Sequence, residues 1–360
     1  MIAGGAVMEK LGMKEVPSGH RLDDALAAAW SGRRRRDLTG ELMTGLCRAV
    51  TVLVICVLFL LLFHIVRHGA GALSWEFLSA APVEGMTEGG IFPAIFGTVA
   101  ITLLMILMAL PLGALAGIYL VEYAGTSPVA RVIRAAVNNL AGVPSIVFGL
   151  FGVGFFILFV GRHMDLALGP DGRGAVEQMI GKTGGQGSGL LFGQPIMLWA
   201  AATLACLVLP TIIVTTEEAL TAVPQSHRDA SLALGATKWE TIWRVVLPQA
   251  RAGILTGAIL SISRGAGETA PILFTGCAYF LPRLPVAHLF GVVPMVNPLD
   301  QFMELSYHIF ILATQSTDSR ATLPLQYGTT LVLVALTFLL NLTGIISRYV
   351  FRRRLGKTSV

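Results

Sequence analysis

The sequence predicts an all-α integral membrane protein with six transmembrane helices. Of its 360 residues, 54% are hydrophobic and only 13% are charged, with a mean hydropathy of +0.72. A soluble domain carries about 25% charged residues. Six apolar runs reach the length of about 20 residues that a bilayer core demands. Basic residues crowd alternate loops, as they do in multi-spanning chains. A transmembrane β-barrel would show short segments of alternating hydropathy instead.

Residues 1–45 read as a cytoplasmic extension in which Arg21 to Trp30 fits a short helix. The first 40 residues lack the apolar core of a signal peptide. Arg33, Arg34, Arg35 and Arg36 suit anionic lipid headgroups, so the run reads as a topology anchor, with a specific partner site as the alternative. The apolar runs cover 48–66, 91–121, 137–161, 190–214, 252–276 and 325–347. The first is the weakest, with His64 near its end. Together they define a transmembrane domain over 46–350, followed by a basic tail at 351–360. The loop 162–189 is rich in glycine and is expected to be mobile. The loop 277–324 mixes prolines with an amphipathic stretch, Phe302 to Thr314, expected at the outer interface.

Orientation follows from the basic residues. Arg48, Arg131, Arg134, Arg228, Lys238, Arg244, Arg251, Arg348 and Arg352 to Lys357 flank one side of the runs. The other side holds only Arg67, Arg162, Arg173, Lys182, Arg283 and Arg320. The positive-inside rule then places both termini and residues 216–251 in the cytoplasm. The net charge of +5 is a topology signal and implies no nucleic-acid partner.

Catalytic signals are missing from the sequence. Gly181-Lys182-Thr183 lacks the earlier glycine of a phosphate-cradling loop, because position 176 is Val176. Cys47, Cys56, Cys206 and Cys277 have no metal or disulfide spacing and read as small apolar fillers. No catalytic residues, metal site or cofactor are expected in this chain.

Residues 216–251 form a charged, well-capped segment between apolar runs. Gly235 suits the position that ends a helix through Leu234. Thr237 and Glu240 have the spacing of a capping box that starts another. On that second helix Trp239, Ile242, Trp243 and Val246 recur at i, i+3, i+4 and i+7, an apolar stripe that Pro248 should end. Two tryptophans on a short stripe suit a knob entering another protein's groove. The alternative is packing on the protein's own spans. In this segment Asp229-Ala230-Ser231, Gly235, Val245, Leu247 and Pro248 keep the spacing of the EAA loop of ABC-importer permeases. The segment resembles that loop, with Asp229 and Ser231 as conservative departures.

Ser263-Arg264-Gly265-Ala266-Gly267-Glu268-Thr269-Ala270-Pro271 interrupts the fifth run with charge. A mid-helix arginine costs about 2.5–3.5 kcal/mol on insertion scales, so such residues face a protein interior and carry function. Arg264 and Glu268 are four residues apart and can pair on one helix face. Gly265 and Gly267 permit close approach or unwinding, and Pro271 favours a kink. A purely structural ion pair is the alternative to a translocation-path site made of Arg264, Glu268, Ser263 and Thr269. The planar guanidinium suits a tetrahedral oxyanion, with Glu268 neutralising Arg264 when substrate is absent.

The Arg264 to Pro271 stretch resembles the signature of PstA-type phosphate permeases. So do Asn138 to Gly152, Gly117 to Tyr123 and Tyr307 to Gln315, in one register over about 91–350. The resemblance implies a type I, MetI-like ABC-importer permease architecture. It implies a PstC-type second permease, a PstB-type ATPase dimer carrying ATP-Mg, and a PstS-type phosphate-binding protein. It also implies that Asp229, Ala230, Gly235, Trp239, Glu240, Ile242, Trp243 and Val246 dock the ATPase. A permease for sulfate or molybdate, a proton-coupled secondary transporter using Arg264 and Glu268, and a scaffold or sensor are the rival readings.

Overall fold

The computed structural model describes residues 19–83, 88–179, 190–289, 293–316 and 319–356. The chain divides into two compact units, Met1–His64 and Ile65–Val360. In the first, the described residues belong to one helix, Gly19–Gly69, whose final turns fall in the second. The expected helix over Arg21 to Trp30 is thus part of a much longer one, because no proline interrupts the sequence from Gly19 to Gly69. Its apolar residues, Leu53, Phe59 and Leu60 among them, are exposed, as a lipid-facing helix requires.

Six described helices are long and apolar enough to cross a membrane: Gly40–Ala72, Phe92–Ala124, Ser145–Met179, Met197–Thr221, Lys238–Gly265 and Thr322–Tyr349. These spans, one to six, take up all six apolar runs. Two short antiparallel pairs, Pro82–Val83 with Glu88–Gly89 and Val286–Leu289 with Val293–Val296, are the strands among the described residues.

Three boundaries depart from expectation. Residues 137–140 belong to a separate amphipathic helix, Pro128–Leu140, capped by Ser127 Oγ, which accepts from the Ala130 amide at 3.2 Å. Span three starts only at Ser145, since Pro144 disfavours helical backbone at the residue before it. Span three also continues to Met179, through a break at Gly169 (φ 63°) ahead of Pro170, where a mobile loop was expected. There the buried Asp165 carboxylate accepts from the amides of Leu191, Phe192 and Gly193, fixing the chain's return. Residues 180–189, with Lys182, lie outside the described residues.

Span four is the hub: 72% of its most apolar stretch is buried, against 6% for span six. Ala200, Ala201, Ala202 and Ala205 let neighbouring helices approach closely. Around it gather Ile101 and Met105 of span two, Phe148 of span three, Ile272 and Phe302. The stretch expected at the outer interface forms the helix Leu305–Thr314, and five of its ten residues are buried. It packs with Phe77, Ile91 and Ala94 on one side and residues of span six on the other, rather than lying free.

Candidate functional site

The segment 216–251 folds as its caps dictate. Past the end of span four, Gln225–Ala233 forms a nine-residue helix. Gly235 follows with φ 86°, a conformation that disfavours any side chain. Its amide donates to Leu232 O at 3.0 Å and the Ala236 amide to Ser231 O at 3.3 Å, the paired bonds of a Schellman stop. The expected capping box is present: Thr237 N donates to Glu240 Oε2 at 2.9 Å, and Glu240 N to Thr237 Oγ1 at 3.3 Å. Asp229 and Ala230 face outward on the short helix.

The apolar stripe divides. Ile242 and Val246 are 1% and 0% exposed, packed with Ile118, Leu220 and Val223 of the protein's own core. They cannot touch a docked partner, which corrects the expectation of a continuous docking face. Trp239 and Trp243 lie on the exposed side, stacked with ring centroids 5.8 Å apart. Lys238 Nζ sits 4.8 Å above the Tyr123 ring. Leu234, which sequence reasoning did not select, is 90% exposed at the tip of the loop. Its place immediately before the helix-stopping glycine was the available signal.

Pro248 does not end the helix. Thr241 runs into a wider π turn, Ile242–Val246, and then into Leu247–Gly265. The Leu247 amide reaches back five residues to Ile242 O, and this wider register accommodates a proline that cannot donate. The segment is therefore continuous with span five.

Span five stops at Gly265 and resumes as Ala270–Thr275, with Pro271 in its first turn. Residues 266–269 are unwound, as the glycines permit. A Cβ on Gly265 would lie 2.3 Å from Met105 Sδ, so glycine is required where span two crosses. Arg264 Nε and Glu268 Oε1 are 3.7 Å apart, with side chains 39% and 22% exposed. The pair exists, but it is not buried: Arg264, in the last helical turn, and Glu268, in the unwound stretch, are both partly open. Ser263 Oγ accepts from Asn341 Nδ2 of span six at 3.1 Å.

Thr269 leads to a residue that sequence reasoning missed. Its Oγ1 donates to Ser306 Oγ at 2.9 Å, and Ser306 Oγ donates in turn to Glu304. Glu304 is 2% exposed and caps Leu305–Thr314 by accepting from the Tyr307 amide at 2.8 Å. Thr98 of span two accepts from the Leu305 amide at 3.0 Å. The unwound segment is thus tied to a buried carboxylate. The signal was a lone glutamate opening an apolar stretch. Among the described residues no group of side chains could hold a metal ion.

Residues 109–357 match the model of the family described as binding-protein-dependent transport system inner membrane component. The chain is 29% identical over 314 residues to the probable ABC transporter permease protein YqgI of Bacillus subtilis, covering 86% of this chain and 95% of that protein. It is 34% identical over 280 residues to the phosphate transport system permease protein PstA of Pasteurella multocida, covering 76% and 88%. A solved chain of a bacterial alginate ABC transporter, in complex with its alginate pentasaccharide-bound periplasmic protein, superposes with a TM-score of 0.55 at 12% identity. It covers 92% of this chain and 99% of that one, a likeness of fold alone.

The Glu304 cap gives a stability test. Glu304→Ala orphans the Tyr307 amide and the Ser306 hydroxyl and should cost about 1–3 kcal/mol. Glu304→Gln keeps an acceptor and should cost roughly half as much. Thermal unfolding in detergent, followed by helical circular dichroism, measures both. Equal losses would place the effect in the charge rather than in the acceptor.

Proposed function

The chain belongs to the binding-protein-dependent transport system inner membrane component family, on its PstA-type branch, and from that premise we propose how it works. It is the permease subunit of an ATP-driven importer of inorganic phosphate, a multi-pass protein of a bacterial membrane. It forms half of the translocation pathway with a PstC-type partner. A PstB-type ATPase dimer, which binds and hydrolyses ATP-Mg itself, docks on the loop 216–251, and a PstS-type protein delivers phosphate from outside. This chain contributes no ATP chemistry. Its curated phosphate-permease relatives favour phosphate over sulfate or molybdate, and membership of an ABC family disfavours a proton-coupled carrier.

The observation that carries the pathway assignment is the Arg264–Glu268 pair on the break in span five, with Arg264 39% exposed. A lipid-facing arginine costs about 2.5–3.5 kcal/mol, which argues for a water-filled path or a partner subunit beside it. The guanidinium offers a planar fork to a tetrahedral oxyanion. At 3.7 Å, Glu268 holds Arg264 only loosely, so an anion can replace it. Ser263 and Thr269 bracket the pair, one anchored to span six and the other to Leu305–Thr314.

Coupling rests on the exposed face of the loop. Asp229, Ala230, Leu234, Trp239 and Trp243 form the contact surface, while Gly235 and Glu240 hold its shape. Ile242 and Val246 transmit from inside. Truncating a buried aromatic anchor costs about 2 kcal/mol, or roughly 30-fold in affinity. The Trp239→Ala, Trp243→Ala variant should therefore capture more than about 30-fold less ATPase in a pull-down. Undiminished capture with normal uptake would remove the tryptophans from the interface.

Both termini and the loop lie in the cytoplasm, with Arg283 outside. A membrane-impermeant thiol reagent applied to intact cells should modify a cysteine at position 283 and spare one at 229. The opposite pattern would invert the orientation.

Arg264→Gln should abolish phosphate uptake. Because the single variant leaves Glu268 unpaired, the Arg264→Gln, Glu268→Gln variant decides the matter. Recovered yield with uptake still below about a tenth of wild type, equivalent to 1.4 kcal/mol, supports a role toward the anion. Uptake near wild type in the assembled double variant would reduce the pair to a structural contact.

A further inference from the structure

Two arginines outside the pathway stand in a reciprocal arrangement where spans two and four end. Arg228 belongs to the loop helix Gln225–Ala233. Its Nη1 donates to Val223 O at 2.6 Å and its Nη2 to Leu220 O at 2.8 Å, carbonyls at the end of span four. The same guanidinium reaches Glu122 Oε1, at the end of span two, from Nε at 3.1 Å and Nη2 at 2.8 Å. Arg134 belongs to the amphipathic helix Pro128–Leu140. It donates to Leu120 O at 2.8 Å and Gly125 O at 2.9 Å, carbonyls at the end of span two. Its Nε donates at 2.9 Å to Glu217 Oε2 of span four. Each arginine thus caps one span and pairs with a carboxylate on the other.

We propose that Arg228 and Arg134 are positioning residues for energy coupling: a crossed clamp that joins the loop helix to spans two and four as one lever. This deepens the importer reading and rests on ATPase docking at the loop. The physical case has three parts. Carbonyls at a helix C-terminus carry partial negative charge, and each keeps a free lone pair even where it accepts one backbone bond, as Leu220 O does from the Val223 amide, so a cation there meets both the charge and an open acceptor. A guanidinium serves two carbonyls and a carboxylate at once because its five N–H groups lie in a fixed plane; an ammonium cannot reproduce that geometry. The Arg228–Glu122 pair is also shielded, with side chains 10% and 9% exposed, so water does not loosen it.

The lever has a load. Span two runs from Glu122 back to Met105, whose sulfur occupies the space a side chain on Gly265 would need, one residue from Arg264. Further along, Thr98 holds the Leu305 amide of the helix that Glu304 caps. Displacement of the loop helix therefore reaches both sides of the unwound segment through side-chain contacts and one continuous helix. A cap that only stabilised a helix end would not need a carboxylate from the neighbouring span, and here both arginines have one.

The test uses the full complex with its ATPase and reads the pathway without requiring substrate. Gly267 is exposed, and no atom lies within 4 Å of where its Cβ would stand, so a Gly267→Cys thiol fits without displacing a neighbour and reports on the path directly. Alkylation at that position, followed by mass spectrometry, should change about tenfold between the resting and the ATP–vanadate-trapped complex, the scale of a coupling energy near 1.4 kcal/mol. Adding Arg228→Lys or the milder Glu122→Gln should reduce the change to within about twofold while the ATPase still co-purifies. Arg131→Lys, at an exposed position on the same helix as Arg134, should leave it intact. If Arg228→Lys fails to assemble, Glu122→Gln decides. A full response in either assembled variant, or no response in the Gly267→Cys parent, would overturn the clamp. Phosphate uptake by the unsubstituted complex, prepared alongside, tests the substrate assignment separately.

Discussion

A backbone that leaves regular helix inside hydrocarbon must find partners for the N–H and C=O groups it frees. Most of the functional architecture follows from how this chain meets that demand. At the break in span five the backbone partly serves itself, the Ala266 amide donating to Ile262 O at 3.0 Å and the Glu268 amide to Gly265 O at 3.3 Å, while side chains of two other helices grip the flanking residues, Asn341 on Ser263 and Ser306 on Thr269. The proline in the first turn after the loop segment is absorbed by one turn of wider register, not by an end. The ends of spans two and four are finished by guanidinium groups carried on short amphipathic helices. Irregular backbone and polar side chains therefore coincide, and those places are also where substrate and ATPase are proposed to act.

Much of this was legible in the sequence because it depends on local chemistry. The apolar runs needed only length and composition, and Gly235 and the Thr237–Glu240 box needed only residues within one turn. What could not be read depended on tertiary context. Proline at 248 reads as a stop unless the preceding turn widens, and that choice is made by Ile242 and Val246 finding a core beneath them. The same burial split the apolar stripe, which periodicity treats as a single face. Val137 to Leu140 passed for the start of span three because apolar content continues across Pro144, although the backbone does not.

The pathway was half legible. Arg264 and Glu268 announce themselves as charges in an apolar run, and their pairing follows from spacing. Their exposure does not, because it depends on which helices come to lie beside them. Glu304 serves its own helix end, but it is remote in sequence from Thr269 and is linked to it through Ser306. Arg134 and Arg228 looked like ordinary members of the basic inner belt. Their second role emerges only when the spans they finish lie side by side.

That second role bears on how such a chain can change over generations. Arg228 and Glu122 stand 106 positions apart, and each is nearly sealed from water by the other. Losing either one first leaves a charge stranded in the protein, the costly arm of any exchange. Replacement of the pair by a different solution must cross that intermediate, so drift at one position is held back by the other. Exposed neighbours such as Arg131 carry no such debt. Sequence variation among descendants of this chain should therefore run in step at 122 and 228, while the surface around them wanders freely.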